Sequence, residues 1–253
     1  MNFFFGFKYK NFSSKLTIPK FQNRKEFVAK YKLYQANIYQ NKWLIEELDG
    51  SVNQEYFYTL DSELVDNRKI YLLANDNQVK KSVEHELLNY NSFTNTSPEY
   101  RANLQVSIMG GGFSSYQSDY PFSMTTKKGS IVSSCSSLTN KNADQNYIIF
   151  KNIYYLPIQE KFTIYFVNIK SKKIIQRKEV YTNFTNIIKV DKELIDPNVY
   201  LFTDEFIGIP IFLSVKNDHL SFEHTHPPHS FVMGKNQFKI VSRVKDEIRK
   251  IIN

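Results

Sequence analysis

Ile209-Pro-Ile-Phe-Leu-Ser-Val-Lys-Asn-Asp-His-Leu-Ser-Phe-Glu-His224 reads as two strands around a tight turn. Asn217-Asp218 is a two-residue pair suited to a β-hairpin. A turn there sets Val215 opposite Leu220, Leu213 opposite Phe222 and Ile211 opposite His224. Side chains alternate along a strand, so Ile211, Leu213, Val215, Leu220, Phe222 and His224 share one face. His219, Ser221, Glu223 and Thr225 take the other. The alternation agrees on both strands, and this agreement supports the register.

The same pattern extends upstream. Tyr147–Tyr155 is strand-like and stops at Leu156-Pro157. Phe162–Ile169 and Lys173–Tyr181 flank the polar turn Lys170-Ser171-Lys172 and form a second hairpin. Asn186–Val190 and Asn198–Phe202 continue the series. No helical segments alternate with these strands, which argues against a doubly wound parallel sheet. The expected fold is mainly β, an antiparallel β-sandwich or distorted barrel. A C-terminal amphipathic helix closes it. Val241, Val244, Ile248 and Ile251 or Ile252 form its apolar stripe, and Asn236 is its expected N-cap.

The N-terminal part is less regular. Residues 1 to about 25 have no clear period and suggest an arm. Glu26–Asn41 fits a helical stripe through Phe27, Val28, Tyr31, Tyr34 and Ile38, and equally a strand. Lys42–Leu48, Glu55–Leu60 and Lys69–Ala74 suggest a β-meander with a turn at Asp49-Gly50. Val79, Val83 and Leu87 suggest a short helix, with His85 on its solvated side. Arg101–Met109 is a strand carrying Leu104, Val106 and Ile108 on one face. We therefore expect a β-rich subdomain or sheet extension with a basic arm over 1–97, and a β-sandwich domain with the terminal helix over 98–253.

The chain has 253 residues, long enough for a substantial core. Its net charge of +8 favours polyanions or a solvated basic surface, and no nucleic-acid-binding motif accompanies it. Phe3, Phe4 and Phe5 beside Lys8 and Lys10 suggest peripheral contact with an anionic surface. The one cysteine, Cys135, falls in a Ser-rich segment read as a strand; it rules out an intrachain disulfide and fits a reducing, cytoplasmic setting. No secretory signal or span-length apolar run is visible.

Two segments carry candidate chemistry. Four of the five histidines lie within His219–His229, and histidine suits both metal binding and proton transfer. His224 and His226, two apart on one face, could chelate a metal. Pro227-Pro228 stiffens the exit and could return His229 as a third ligand for Zn, Fe or Mn. Glu223 points away on this register. The alternative is that these are hydrogen-bonding histidines at a strand end. The His-x-His pair lacks the glycine, the glutamate and the distant histidine of a cupin site.

The second segment, Gly110-Gly-Gly-Phe-Ser-Ser-Tyr-Gln-Ser-Asp-Tyr-Pro121, reads as a loop. Tyr116, Gln117, Asp119 and Tyr120 suit stacking and hydrogen bonding to a sugar or other polar ligand. The alternative is a long connection whose aromatics plug the core. No nucleophile elbow or phosphate-loop lysine follows. Two functions are consistent with these residues. One is a binding or accessory protein that recognises a polar small molecule or glycan through the aromatic loop and the histidines. The other is a metal-dependent or histidine acid/base enzyme on a carbohydrate-like or small polar substrate.

Overall fold

The computed structural model describes residues 2–23, 25–82, 100–118, 133–137, 139–154, 156–205, 210–224 and 236–253. Within these residues the chain is mainly β, in four antiparallel sheets stacked like the layers of a sandwich, with a C-terminal helix.

The first sheet contains β1 (Asn2–Phe4), β4 (Lys32–Tyr39), β5 (Lys42–Glu47) and β7 (Ile70–Ala74), in the order β1-β7-β4-β5. The second has the order β2-β3-β8-β9 and comprises β2 (Lys8–Tyr9), β3 (Phe12–Pro19), β8 (Ala102–Ile108) and β9 (Phe113–Ser118). In it β6 (Phe57–Leu60) also pairs with β3. In the second sheet β8 pairs with β3 from Phe12–Ile108 to Thr17–Asn103.

Two N-terminal expectations are corrected. Residues 2–19 are not an arm but carry β1, β2 and β3. Phe3, Phe4, Phe5 and Phe7 are buried, so their rings do not face a membrane or other surface; strand pairing and core burial hold them. Of the two alternatives for Glu26–Asn41 the strand holds: β4 occupies its second half, and Phe27 and Val28 of the helical stripe are 87% and 80% exposed. The meander does not form, because β6 leaves the first sheet for β3 while β7 pairs with β4 and β1. The short helix is present as α1 (Asp76–Ser82); Val83, His85 and Leu87 lie outside the described residues.

The third sheet is central. It has the order β14-β11-β16-β17, from β11 (Gln145–Lys151), β14 (Thr185–Val190), β16 (Ile211–Lys216) and β17 (His219–His224). One face, with Tyr147, Ile149, Ile211, Leu213, Val215 and Phe222, joins the core enclosed by the first two sheets. The Tyr147 ring meets Phe12 edge-on at 5.3 Å, and Phe222 lies 6.4 Å from Phe7. The opposite face, with Ile148, Phe150, Ile188 and Phe212, packs on the fourth sheet. Such two-sided burial explains the near-continuous apolar run of β11.

The fourth sheet runs β10-β15-β12-β13, from β10 (Ser133–Ser134), β12 (Lys161–Asn168), β13 (Lys173–Tyr181) and β15 (Val199–Phe202). Ile164 and Phe166 point toward the third sheet, whereas Val167 and Phe202 point outward. The outward row is covered by α2 (Gln237–Ile252), through Val244, Ile248, Ile251 and Ile252. Arg249 anchors the helix: Nε and Nη2 donate to Asp204 Oδ1 at 3.1 and 2.9 Å, and its guanidinium lies over Phe202. Asn236 is the N-cap position but makes no side-chain capping bond. Cys135 is buried in a short 3-10 turn after β10 rather than within a strand.

Because β16 is buried on both faces, adjacent substitutions there should both be costly. Phe212→Ala is expected to lose about 3–5 kcal/mol and Leu213→Ala about 2–5 kcal/mol in urea unfolding. The exposed Ile175→Ala should stay within about 0.5 kcal/mol. A strand with one solvated face would give only one large loss.

Candidate functional site

The hairpin over Ile211–His224 forms in the expected register, with Ile211 opposite His224, Leu213 opposite Phe222 and Val215 opposite Leu220. Asn217 and Asp218 both have positive φ, 47° and 61°, the geometry a two-residue turn needs to match strand twist. Phe222 is buried, Leu220 and His224 are half-buried, and His219, Ser221 and Glu223 are exposed. His224 thus ends a row that faces the first core. His226 and His229 lie outside the described residues.

Glu223 has a role the register did not suggest. Its backbone faces away from His224, yet its carboxylate curls back: Oε1 lies 2.8 Å from His224 Nδ1 and accepts the His224 backbone N–H at 2.9 Å. A carboxylate on Nδ1 orients the ring and leaves Nε2 as its other polar atom. Among the described residues, no group of three or more His, Cys, Asp or Glu side chains could hold a metal ion.

The aromatic segment is corrected from loop to strand. Phe113–Ser118 is β9, with Leu104 opposite Tyr116 and Asn103 opposite Gln117. Asp119 and Tyr120 lie outside the described residues. The preceding glycines do structural work. Gly110 has φ +76°, which favours glycine, and a Cβ on Gly111 would sit 2.3 Å from Ile108 Cγ2 and 3.1 Å from the Asp218 carbonyl oxygen. Gly112 N–H donates to that same carbonyl at 3.0 Å. The β8–β9 turn is therefore docked on the β16–β17 turn, and β9 and β17 lie side by side from that point. Both are edge strands among the described residues. The structure so brings Tyr116 and Gln117 onto a strand next to the one that carries His224.

A second polar centre gave no signal in the sequence. Lys151, at the end of β11, is fully buried. Its Nζ donates to the Asn67 carbonyl at 2.8 Å and to Thr185 Oγ1 at 3.3 Å. Asn67 is a junction. Its carbonyl also accepts Thr185 N–H at 2.8 Å, and its side-chain amide bonds both the N–H and the carbonyl of Lys8. Thr185 Oγ1 in turn donates to the Gly6 carbonyl. Burial lowers the Lys151 amine to a pKa of about 7, opposed by the nearby Asp66 carboxylate. Cys135 is chemically quiet, since burial pushes its thiol up to about 12.

The Lys151 shift has a measurable sign. The unfolded amine titrates near 10.5, as a solvated lysine does. Between about 7 and 10.5 the unfolded chain binds more protons than the folded one, so stability rises with pH across that window and the gain is lost as pH falls toward 7. Relative to Lys151→Met, the wild-type unfolding free energy should climb between pH 7.5 and 9.5 by up to about 1.4 kcal/mol per pH unit. Urea unfolding at several pH values measures this. Parallel profiles for the two proteins would show that Lys151 does not titrate there. The variant should fold, because the Asn67 carbonyl and Thr185 Oγ1 each keep another hydrogen bond.

In comparisons with known proteins, no family model, curated protein or solved structure matches the chain.

Proposed function

We propose that the protein binds a polar small molecule or glycan along the adjoining edges of β9 and β17. In this reading Tyr116 and Gln117 of β9 and His224 of β17 contribute to recognition, together with Asp119, Tyr120 and His226, which the sequence singles out and which lie outside the described residues. The observation that carries this reading is the Gly112–Asp218 hydrogen bond, which ties the two turns and sets both strands off together. Sugar rings suit such a surface, because apolar C–H faces stack on aromatics while hydroxyls take hydrogen bonds. An edge held by two packed sheets is also a rigid scaffold for recognition.

A second reading rests on the Glu223–His224 contact at 2.8 Å. An imidazole oriented by a carboxylate is the arrangement used for metal ligation and for acid–base chemistry. In that reading His224, His226 and His229 hold Zn, Fe or Mn, or transfer protons to a carbohydrate-like substrate.

Two measurements separate these readings. Saturation-transfer NMR with a panel of monosaccharides should show binding, and a Tyr116→Ala, His224→Ala double variant should weaken it by about tenfold or more. Unchanged binding in that variant removes the β9–β17 reading. Elemental analysis of the purified protein tests the other: stoichiometric metal lost in His224→Ala, His226→Ala supports a metal centre.

A further inference from the structure

The Asn67 junction forms the floor of a cleft that none of the above uses. Its volume is about 440 Å3, within the range of small-molecule sites. Lys8, Arg68 and Lys69 line it, with Glu63, Asp66 and the Phe184 ring. Three separate segments meet here: the β2 strand at Lys8, the turn before β7, and the turn between β13 and β14. Hydrogen bonds fix them to one another. Asn67 holds Lys8 through two bonds, and Thr185, next to Phe184, donates to the Asn67 carbonyl. The walls are preorganised rather than merely adjacent.

The charge is arranged for an anion. Lys8 Nζ is placed by the Glu63 carbonyl at 3.1 Å. Asp66 is exposed, and its Oδ1 accepts the Arg68 backbone N–H at 2.7 Å, so its own loop engages part of its charge. The Arg68 guanidinium and the Lys69 ammonium have no ion-pair partner among the described residues. Behind the floor sits the Lys151 amine, bonded to the Asn67 carbonyl. A guanidinium can grip a phosphate with two parallel N–H bonds, and a lysine adds point charge. Phe184, half-buried and held edge-on to Tyr181 at 6.1 Å between centroids, offers a flat apolar wall.

We propose that this cleft binds a small organic phosphate, with the phosphate on Arg68 and Lys69 and the ring or apolar face of the molecule against Phe184. The site is independent of the β9–β17 edge, and either can fail without the other. It also gives the cationic surface a localised use that overall charge does not.

The test uses the full chain, labelled with 15N, titrated with inorganic phosphate and with adenosine monophosphate at millimolar concentration. Both should shift the amides of Asn67, Arg68 and Lys69, with the nucleotide binding more tightly. Arg68→Ala, Lys69→Ala should weaken both by about tenfold or more, and Phe184→Leu should weaken the nucleotide alone. Thermal unfolding of each variant confirms that the fold persists. The proposal is overturned by an absence of shifts at these amides. It is equally overturned by affinities that the double variant leaves unchanged, or by a nucleotide that binds no better than inorganic phosphate.

Discussion

A strand like β11, with Tyr147 and Ile149 on one side and Ile148 and Phe150 on the other, cannot face water on either. It needs a layer on each flank, and the remaining architecture follows from that need. The N-terminal sheets cover one side, through Phe7, Phe12 and their neighbours. The β12–β15 sheet covers the other. That sheet is itself apolar on its far side at Val167 and Phe202, so it needs α2 in turn. The layers form a chain of obligations, each hydrophobic face requiring the next.

The parts of this stack legible in the sequence are those where two signals coincide. In Ile211–His224 a turn pair with positive φ sits between strands whose alternation agrees, and the register follows residue by residue. The N-terminal strands were hidden for physical reasons. Asn2–Phe7 is buried throughout, so no alternation exists to be read. In β3 the buried positions do alternate, but one of them is Ser14, which reads as polar. Its hydroxyl accepts the Phe7 N–H at 2.8 Å, and this makes its burial tolerable. The serines of β9 disguised an edge strand as a loop in the same way.

The site was legible as residues but not as an arrangement. Glycine runs read as flexible, whereas a Cβ on Gly111 would clash with Ile108 Cγ2 at 2.3 Å, and Cβ atoms on Gly111 and Gly112 would crowd the Asp218 carbonyl oxygen at 3.1 and 3.3 Å. Only the pairing of two distant turns reveals that β9 and β17 adjoin. Lys151 was invisible for a different reason. A lysine in a strand ordinarily marks the solvent face, and its burial here depends on acceptors 84 and 34 residues away.

The contact from Thr185 to Gly6 spans 179 residues of chain, and the Phe7–Phe222 contact spans more. During synthesis, residues 2–7 are made long before the partners that bury them. Closing such long loops costs chain entropy before any contact repays it, so topology of this kind folds slowly. In the interval the Phe3–Phe7 segment presents exposed aromatic rings and unpaired β-forming backbone. That is the composition from which nascent chains aggregate and by which chaperones recognise them. The arrangement that makes the mature core continuous therefore leaves the newborn chain with an early, adhesive segment whose strand partner, β7, comes first and whose cover from the third sheet comes only later.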